Sequence, residues 1–243
     1  DGERERYFTE QLIRLPSQFV YVPRAELPVP TGTPARQRGS ILFGVFNQYR
    51  KWTDEMLCVW REILERVPQA KLLLKSQVFF AAAMRREAEK RLARLGFDLD
   101  RIVLEPATTD YMERYLDVDI ALDTYPWPGG GTTCDALYMG VPVVTLAGET
   151  LGSRFGASLL RNIGADALIA HTAEEYIERA VFLAQDAGML DALHAGLRNM
   201  TAASPVMDAP AYGEAVGAAY EAVWGEYTAR ICGRGKDERG GRR

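Results

Sequence analysis

Ile120-Ala121-Leu122-Asp123-Thr124-Tyr125-Pro126-Trp127-Pro128-Gly129-Gly130-Gly131-Thr132-Thr133-Cys134-Asp135 is the stretch on which the fold turns. Three apolar residues suit a short strand buried on both faces. Prolines and three consecutive glycines then stop any regular pattern. A helical pattern opens at about Thr132 and runs to Met139. Strand, glycine-rich turn and helix in this order make one half of a β-α-β unit.

The same alternation extends to both sides. The other short apolar runs are Ile41–Phe46, Lys71–Leu74, Ile102–Leu104, Val141–Leu146 and Ala167–Ala170. Between the first two, Met56, Leu57, Trp60, Ile63, Leu64 and Val67 recur at helical spacing, with Thr53 placed as the cap. Further helices are expected over 78–95, 152–163 and 173–187, the last opened by the capping box Thr172-Ala173-Glu174-Glu175. Six strands alternating with helices predict a doubly wound, parallel, Rossmann-like α/β sheet. We divide the chain into an extended lead-in (1–39), a nucleotide-binding domain (40–230) and a disordered tail (231–243). In the lead-in, Pro23, Pro28, Pro30 and Pro34 argue against helix. A terminal helix over roughly 207–229 carries Tyr212, Val216, Tyr220, Val223, Trp224 and Tyr227 on one side, a face expected to pack.

Composition limits the function classes. At 243 residues with a net charge of −4, the chain lacks the basic excess a nucleic-acid binder needs. No uninterrupted apolar stretch is long enough to span a bilayer, so no membrane partner is expected. Cys58, Cys134 and Cys232 are widely separated, in no metal-ligand spacing, and read as reduced cytoplasmic thiols. His171 precedes the capping box and His194 falls in a polar helical stretch; both read as structural. The pair Asp117 and Asp119 looks like a metal motif. However, Asp119 leads into the amino end of a buried strand, away from where ligands bind, so a structural role is expected and no metal.

In a Rossmann-order sheet, ligands bind outside the carboxyl ends of the first and fourth strands, where the strand order reverses. The loops at those two places are Phe46–Trp52 and Asp123–Thr133, the chemically richest of the chain. Gly129, Gly130 and Gly131 clear side chains from a helix start whose N–H groups lack partners, and Thr132 and Thr133 add hydroxyls. A phosphate fits there, the helix dipole contributing about 0.3–1 kcal/mol per anionic group; the alternative is a plain glycine turn with a threonine cap. Lys51 is the cation on the opposite loop, suited to a diphosphate leaving group, unless it is only a solvated surface lysine. Gln48 either reaches the same ligand or steadies its turn. Asp135 either accepts a ribose hydroxyl or serves the helix dipole. The first strand runs into Phe-Asn-Gln, not a G-x-G-x-x-G turn, which argues against a dinucleotide.

These strings resemble a known family. Phe46-Asn47-Gln48 through Lys51, Gly131–Asp135 and Pro142–Arg154 look like the C-terminal catalytic half of bacterial O-GlcNAc transferase-like enzymes of the SPINDLY type. The likeness covers Ile41 to about Asp186, and Arg6–Pro16 resembles the family's inter-domain segment. It implies half of a two-Rossmann (GT-B) inverting glycosyltransferase, metal-independent and without a cofactor, using UDP-GlcNAc as donor and protein Ser or Thr as acceptor. Carried over by position, Lys51 contacts the donor diphosphate and Gln48 lies nearby. Thr132 and Thr133, beside Gly130 and Gly131, bind phosphate, Asp135 binds ribose, and the backbone of Ala107 meets the base. Tyr111 stands where relatives stack a histidine on uracil, Thr108 where they have lysine, and Gly131 where they have histidine. The resemblance also implies an N-terminal Rossmann half and tetratricopeptide repeats as partners in acceptor binding. Two other readings stay open here: a nucleotide-binding module inactive by itself, and a sugar-nucleotide epimerase of the same two-Rossmann plan.

Overall fold

The computed structural model describes residues 2–23, 27 and 32–240, with the backbone alone for 2–4 and 232–240. Among the described residues six strands form one sheet: β1 (Leu42–Val45), β2 (Lys71–Lys75), β3 (Ile102–Glu105), β4 (Ile120–Leu122), β5 (Val143–Leu146) and β6 (Ile169–Ala170). Every pairing is parallel and the order is β3-β2-β1-β4-β5-β6. Phe43 of β1 sits between Leu72 of β2 and Ile120 of β4, so the order reverses between β1 and β4 as expected. The central strands are apolar on both faces because helices cover both faces.

The helices are α1 (Ala35–Arg38), α2 (Asp54–Arg66), α3 (Ala82–Arg94), α4 (Gly131–Tyr138), α5 (Phe155–Asn162), α6 (Ala173–Gln185), α7 (Ala187–Ala202) and α8 (Ala209–Gly240). Thr53 caps α2 by accepting the Met56 N–H at 3.1 Å, and Met56, Leu57, Trp60, Ile63 and Leu64 form its buried face. Thr172 caps α6 on the Glu175 N–H, while the Glu175 carboxylate accepts the His171 N–H at 2.9 Å.

Several boundaries differ from the sequence reading. The helix expected over 78–95 is a 3-10 turn, Gln77–Phe80, followed by α3. The one expected over 152–163 likewise begins with a 3-10 turn, Gly152–Arg154. The helix expected to end near 187 stops at Asp186, whose side chain accepts the Met189 N–H at 2.9 Å and starts α7. That extra helix buries Leu190, His194, Leu197 and Thr201, spaced as one helical face. His194 is therefore not on a polar helix surface. It is buried, with Nε2 2.8 Å from the Asp119 carbonyl oxygen.

The lead-in is not wholly extended. It holds a 3-10 turn at Gly2–Tyr7 and ends in α1, where Pro34 takes the capping position and Gly39 closes the turn at φ 76°. A proline costs nothing there because its N–H would lack a partner anyway. Pro28 and Pro30 lie outside the described residues. At the other end α8 is helical to Gly240, past the boundary near 230, and residues 241–243 lie outside the described residues. Its aromatic side is half-buried at Tyr212 and Val216 and exposed from Tyr220 onward, with Tyr220 at 74% and Trp224 at 64% exposure.

Candidate functional site

The carboxyl ends of β1, β4 and β5 meet around one carboxylate. Asp123, the residue after β4, is 2% exposed. Its Oδ1 accepts the Gly129 N–H at 2.7 Å, the Thr124 N–H at 2.9 Å and Nδ2 of Asn47 at 3.1 Å. Its Oδ2 accepts the Thr145 hydroxyl at 2.9 Å. Burial pushes this carboxyl up, and the Gly129 N–H, the Thr145 hydroxyl, the Thr124 N–H and the charge on Lys51 oppose the shift. Gly156 is needed beside it, since a Cβ there would overlap Thr145 Oγ1 and Asp123 Oδ2. Asn47 relays the order, its Oδ1 accepting the Thr132 hydroxyl at 3.2 Å.

Helix α4 opens onto this network. The Cys134 N–H reaches the Gly130 carbonyl at 3.0 Å and closes the first helical turn, so the N–H groups of Gly131, Thr132 and Thr133 precede the helical ladder. The three glycines have different duties. A Cβ on Gly129 would overlap both threonine hydroxyls, and one on Gly130 would stand 2.9 Å from the Phe155 ring. A Cβ on Gly131 would meet nothing within 4 Å. Two glycines thus permit close approach, and the third opens onto the space outside the helix start.

Lys51 faces that space. The 3-10 turn Tyr49–Lys51 carries it across the gap, where Nζ donates to the Pro128 carbonyl at 2.9 Å. Desolvation lowers its pKa; Asp123 raises it and the neighbouring Arg50 lowers it further. A cavity of about 570 Å³ lies between the two loops, lined among others by Arg50, Lys51, Trp127, Pro128, Gly130 and Phe155. A carbonyl is a weak partner for an ammonium, and an anionic oxygen is a better one.

One turn further along α4, Asp135 is buried. Its Oδ1 accepts the Tyr21 hydroxyl at 2.7 Å and its Oδ2 the Tyr111 hydroxyl at 2.8 Å. Tyr111 belongs to the loop after β3, as does half-buried Ala107. In the same loop the Pro106 carbonyl accepts Lys75 Nζ at 2.9 Å. Gln48 is exposed at the rim of the turn, where its backbone carbonyl accepts the Lys51 N–H at 2.9 Å.

The structure therefore sets Lys51 and Gly130 on one cavity. Gly131 is exposed at the start of α4, Thr132 is half-buried with its hydroxyl on Asn47, Thr133 is buried, and Asp135 is joined to Tyr111 one turn further along. Gln48 shares the turn of Lys51 without a buried side chain. Sequence reasoning passed over Asp123, Asn47 and Tyr21. The first two left a signal, being polar residues directly after strands at the reversal point. Tyr21, 114 positions before its partner, left none.

Comparison with known proteins covers the same stretch of chain. The family model described as glycosyl transferase family 41 matches residues 16–216. "Probable UDP-N-acetylglucosamine--peptide N-acetylglucosaminyltransferase SPINDLY" of Arabidopsis thaliana is 38% identical over 222 residues, 90% of this chain and 24% of the relative. The protein SEC of the same plant, described by the same activity, is 28% identical over 229 residues, 89% of this chain and 23% of the relative. Among solved structures, a mutant Thermobaculum terrenum O-GlcNAc transferase matches with a TM-score of 0.76 at 33% identity, covering 83% of this chain and 38% of that one. Staphylococcus aureus TarM, at 14% identity and a TM-score of 0.57, shares the fold. The chain spans about a quarter of the length of the curated relatives it matches. A family match that runs from the lead-in through both site loops and into α8 leaves one assignment: the chain belongs to glycosyl transferase family 41.

Proposed function

We propose that this chain is the donor-binding half of an inverting glycosyltransferase that moves GlcNAc, or another hexose, from a UDP-sugar to Ser or Thr hydroxyls of proteins. The observation that carries the reading is Lys51 Nζ held 2.9 Å from the Pro128 carbonyl, across the opening from the unpaired start of α4. In the reaction the acceptor oxygen bonds to the anomeric carbon while the bond from that carbon to the diphosphate oxygen breaks. UDP departs with both bonding electrons. Lys51, the leading amides of α4 and the hydroxyls of Thr132 and Thr133 take up its charge, in place of a divalent cation. The acceptor proton passes to a base outside these residues. Gln48 adds a contact near the diphosphate, Asp135 takes the ribose, and Ala107 and Tyr111 frame the base.

An N-terminal Rossmann half and tetratricopeptide repeats supply the other wall of the cleft and the acceptor contacts in this reading, which the greater length of the relatives supports. A cytoplasmic location fits Cys58 and Cys134, both free thiols. Among the described residues no helix is long and apolar enough to cross a membrane.

The test is turnover by the full-length protein with UDP-GlcNAc and a panel of other UDP- and GDP-sugars, with and without an acceptor protein. Transfer should require the acceptor and add one hexose unit by mass. Lys51→Ala should lower kcat by about 10²–10³-fold, the scale of one lost oxyanion-stabilising donor, and weaken UDP binding less. An unchanged kcat removes the leaving-group role. Conversion of the free sugar nucleotide without acceptor points instead to the epimerase, and preference for NAD overturns the assignment.

A further inference from the structure

Residues 17–21 belong by sequence to the lead-in, yet they are fastened to the site. The Ser17 hydroxyl donates to the Phe19 carbonyl at 2.8 Å and fixes the local turn. Gln18 Nε2 donates to the Phe155 carbonyl at 3.2 Å, and the Phe19 ring stacks on the Phe155 ring at 5.3 Å. Phe155 is the ring against which Gly130 packs and a wall of the Lys51 cavity. The Tyr21 N–H donates to the Val206 carbonyl at 2.7 Å, and its ring lies 6.0 Å from that of Tyr138, at the end of α4. This anchorage aims the Tyr21 hydroxyl at Asp135.

An aspartate side chain on a helix turns easily about its last torsion, because that torsion has broad minima. Asp135 is gripped from two directions, by Tyr21 on one oxygen and Tyr111 on the other. A carboxylate oxygen can accept from more than one donor, so two phenols orient the group and leave acceptor capacity for a diol. We propose that Tyr21 is a positioning residue for the ribose of the donor nucleotide, holding the Asp135 carboxylate in the orientation that the ribose hydroxyls meet. The inference rests on the donor-half reading above and extends it, since it brings the segment outside the Rossmann core into nucleotide recognition. Burial and the bond to Asp135 hold the Tyr21 hydroxyl far above its ordinary value of 10.0, so it remains a donor at every assay pH.

The experiment is calorimetry on the full-length protein with UDP and 2′,3′-dideoxy-UDP, and with the corresponding GDP pair. The unaltered protein should prefer the ribose form by about tenfold, the scale of hydrogen bonds to a charged acceptor. Tyr21→Phe should weaken binding of the ribose nucleotide by about five- to tenfold and leave the dideoxy form within about twofold, so that the preference collapses. KM for the donor should rise by the same factor while kcat stays within about twofold, because the ribose contact is alike in ground and transition states. A ratio of two affinities is read on folded protein alone, so lost stability does not imitate the result. Equal losses for both nucleotides, or an unaltered preference in Tyr21→Phe, would overturn the positioning role. Wild-type binding of UDP with no ribose preference sinks this inference alone, whereas no nucleotide binding at all sinks the donor-half reading with it.

Discussion

Strand β4 has a buried aspartate at each end, and the two differ in what satisfies them. Asp119, before the strand, accepts the backbone N–H groups of Ala35 and Leu42, each at 2.7 Å, and is paired with the Arg38 guanidinium. Asp123, after it, is held by backbone N–H groups, an amide and a hydroxyl. Burial pushes both carboxyls up. At the amino end the cation is spent on the carboxylate. At the carboxyl end neutral donors satisfy the carboxylate, and Lys51 is left on a carbonyl. A cavity of about 470 Å³ also opens at the amino end, but Arg38 and Asp117 on its wall already have ionic partners, Asp119 and Arg114. Having a cation to spare for a ligand, more than having a cavity, separates the two ends.

The largest effects should come from cutting each carboxylate. Asp123→Ala and Asp119→Ala should each destabilise by roughly 3–5 kcal/mol in denaturant unfolding, since both strand buried donors. Only the first should also abolish nucleotide binding in the folded fraction. Equal loss of affinity in both variants would erase the distinction between the ends. Next in size are the glycines. Gly129→Ala should cost about 1–3 kcal/mol through overlap with Thr132 and Thr133 and lose most nucleotide affinity. Gly131→Ala should leave stability within about 1 kcal/mol, Ala being the better helix former.

The cations sharpen the contrast further. Arg38→Met should cost about 2–4 kcal/mol by leaving Asp119 unpaired. Lys51→Met should stay within about 1 kcal/mol of wild type, since it abandons one neutral carbonyl, and a fall as large as that of Arg38→Met would show Lys51 to be structural. The smallest effect is a pH slope. Burial lowers the His194 pKa below 6.5, with Asp119 and Asp191 opposing. The neutral ring therefore contributes stability that is present above pH 6.5 and lost as pH falls through the lowered folded value. Equilibrium unfolding between pH 5 and 7 should show a shallower slope in His194→Gln than in wild type.

Much of the fold was legible because its causes are local. A strand buried on both faces must be apolar throughout, so the six runs stand out, and their alternation with helices gives the parallel order. The loop Asp123–Thr133 could be read as an anion site from its glycines and its place after a strand, and the structure sets Lys51 opposite it. The boundary at Asp186 was less legible, because this single residue joins α6 to α7 and the nearby Gly188 lies inside the first turn of α7 rather than between the helices.

The sequence by itself determined which segments are strand or helix and which loops carry chemistry, since both follow from side-chain type and spacing along a few residues. Only the tertiary structure decided who bonds to whom: Asp123 to its own loop, the loop after β1 and strand β5, His194 to the strand end, Tyr21 to Asp135. A hydrogen bond needs its partners within about 3 Å, and residues a hundred positions apart reach that distance only once the sheet and its helices have brought their loops together.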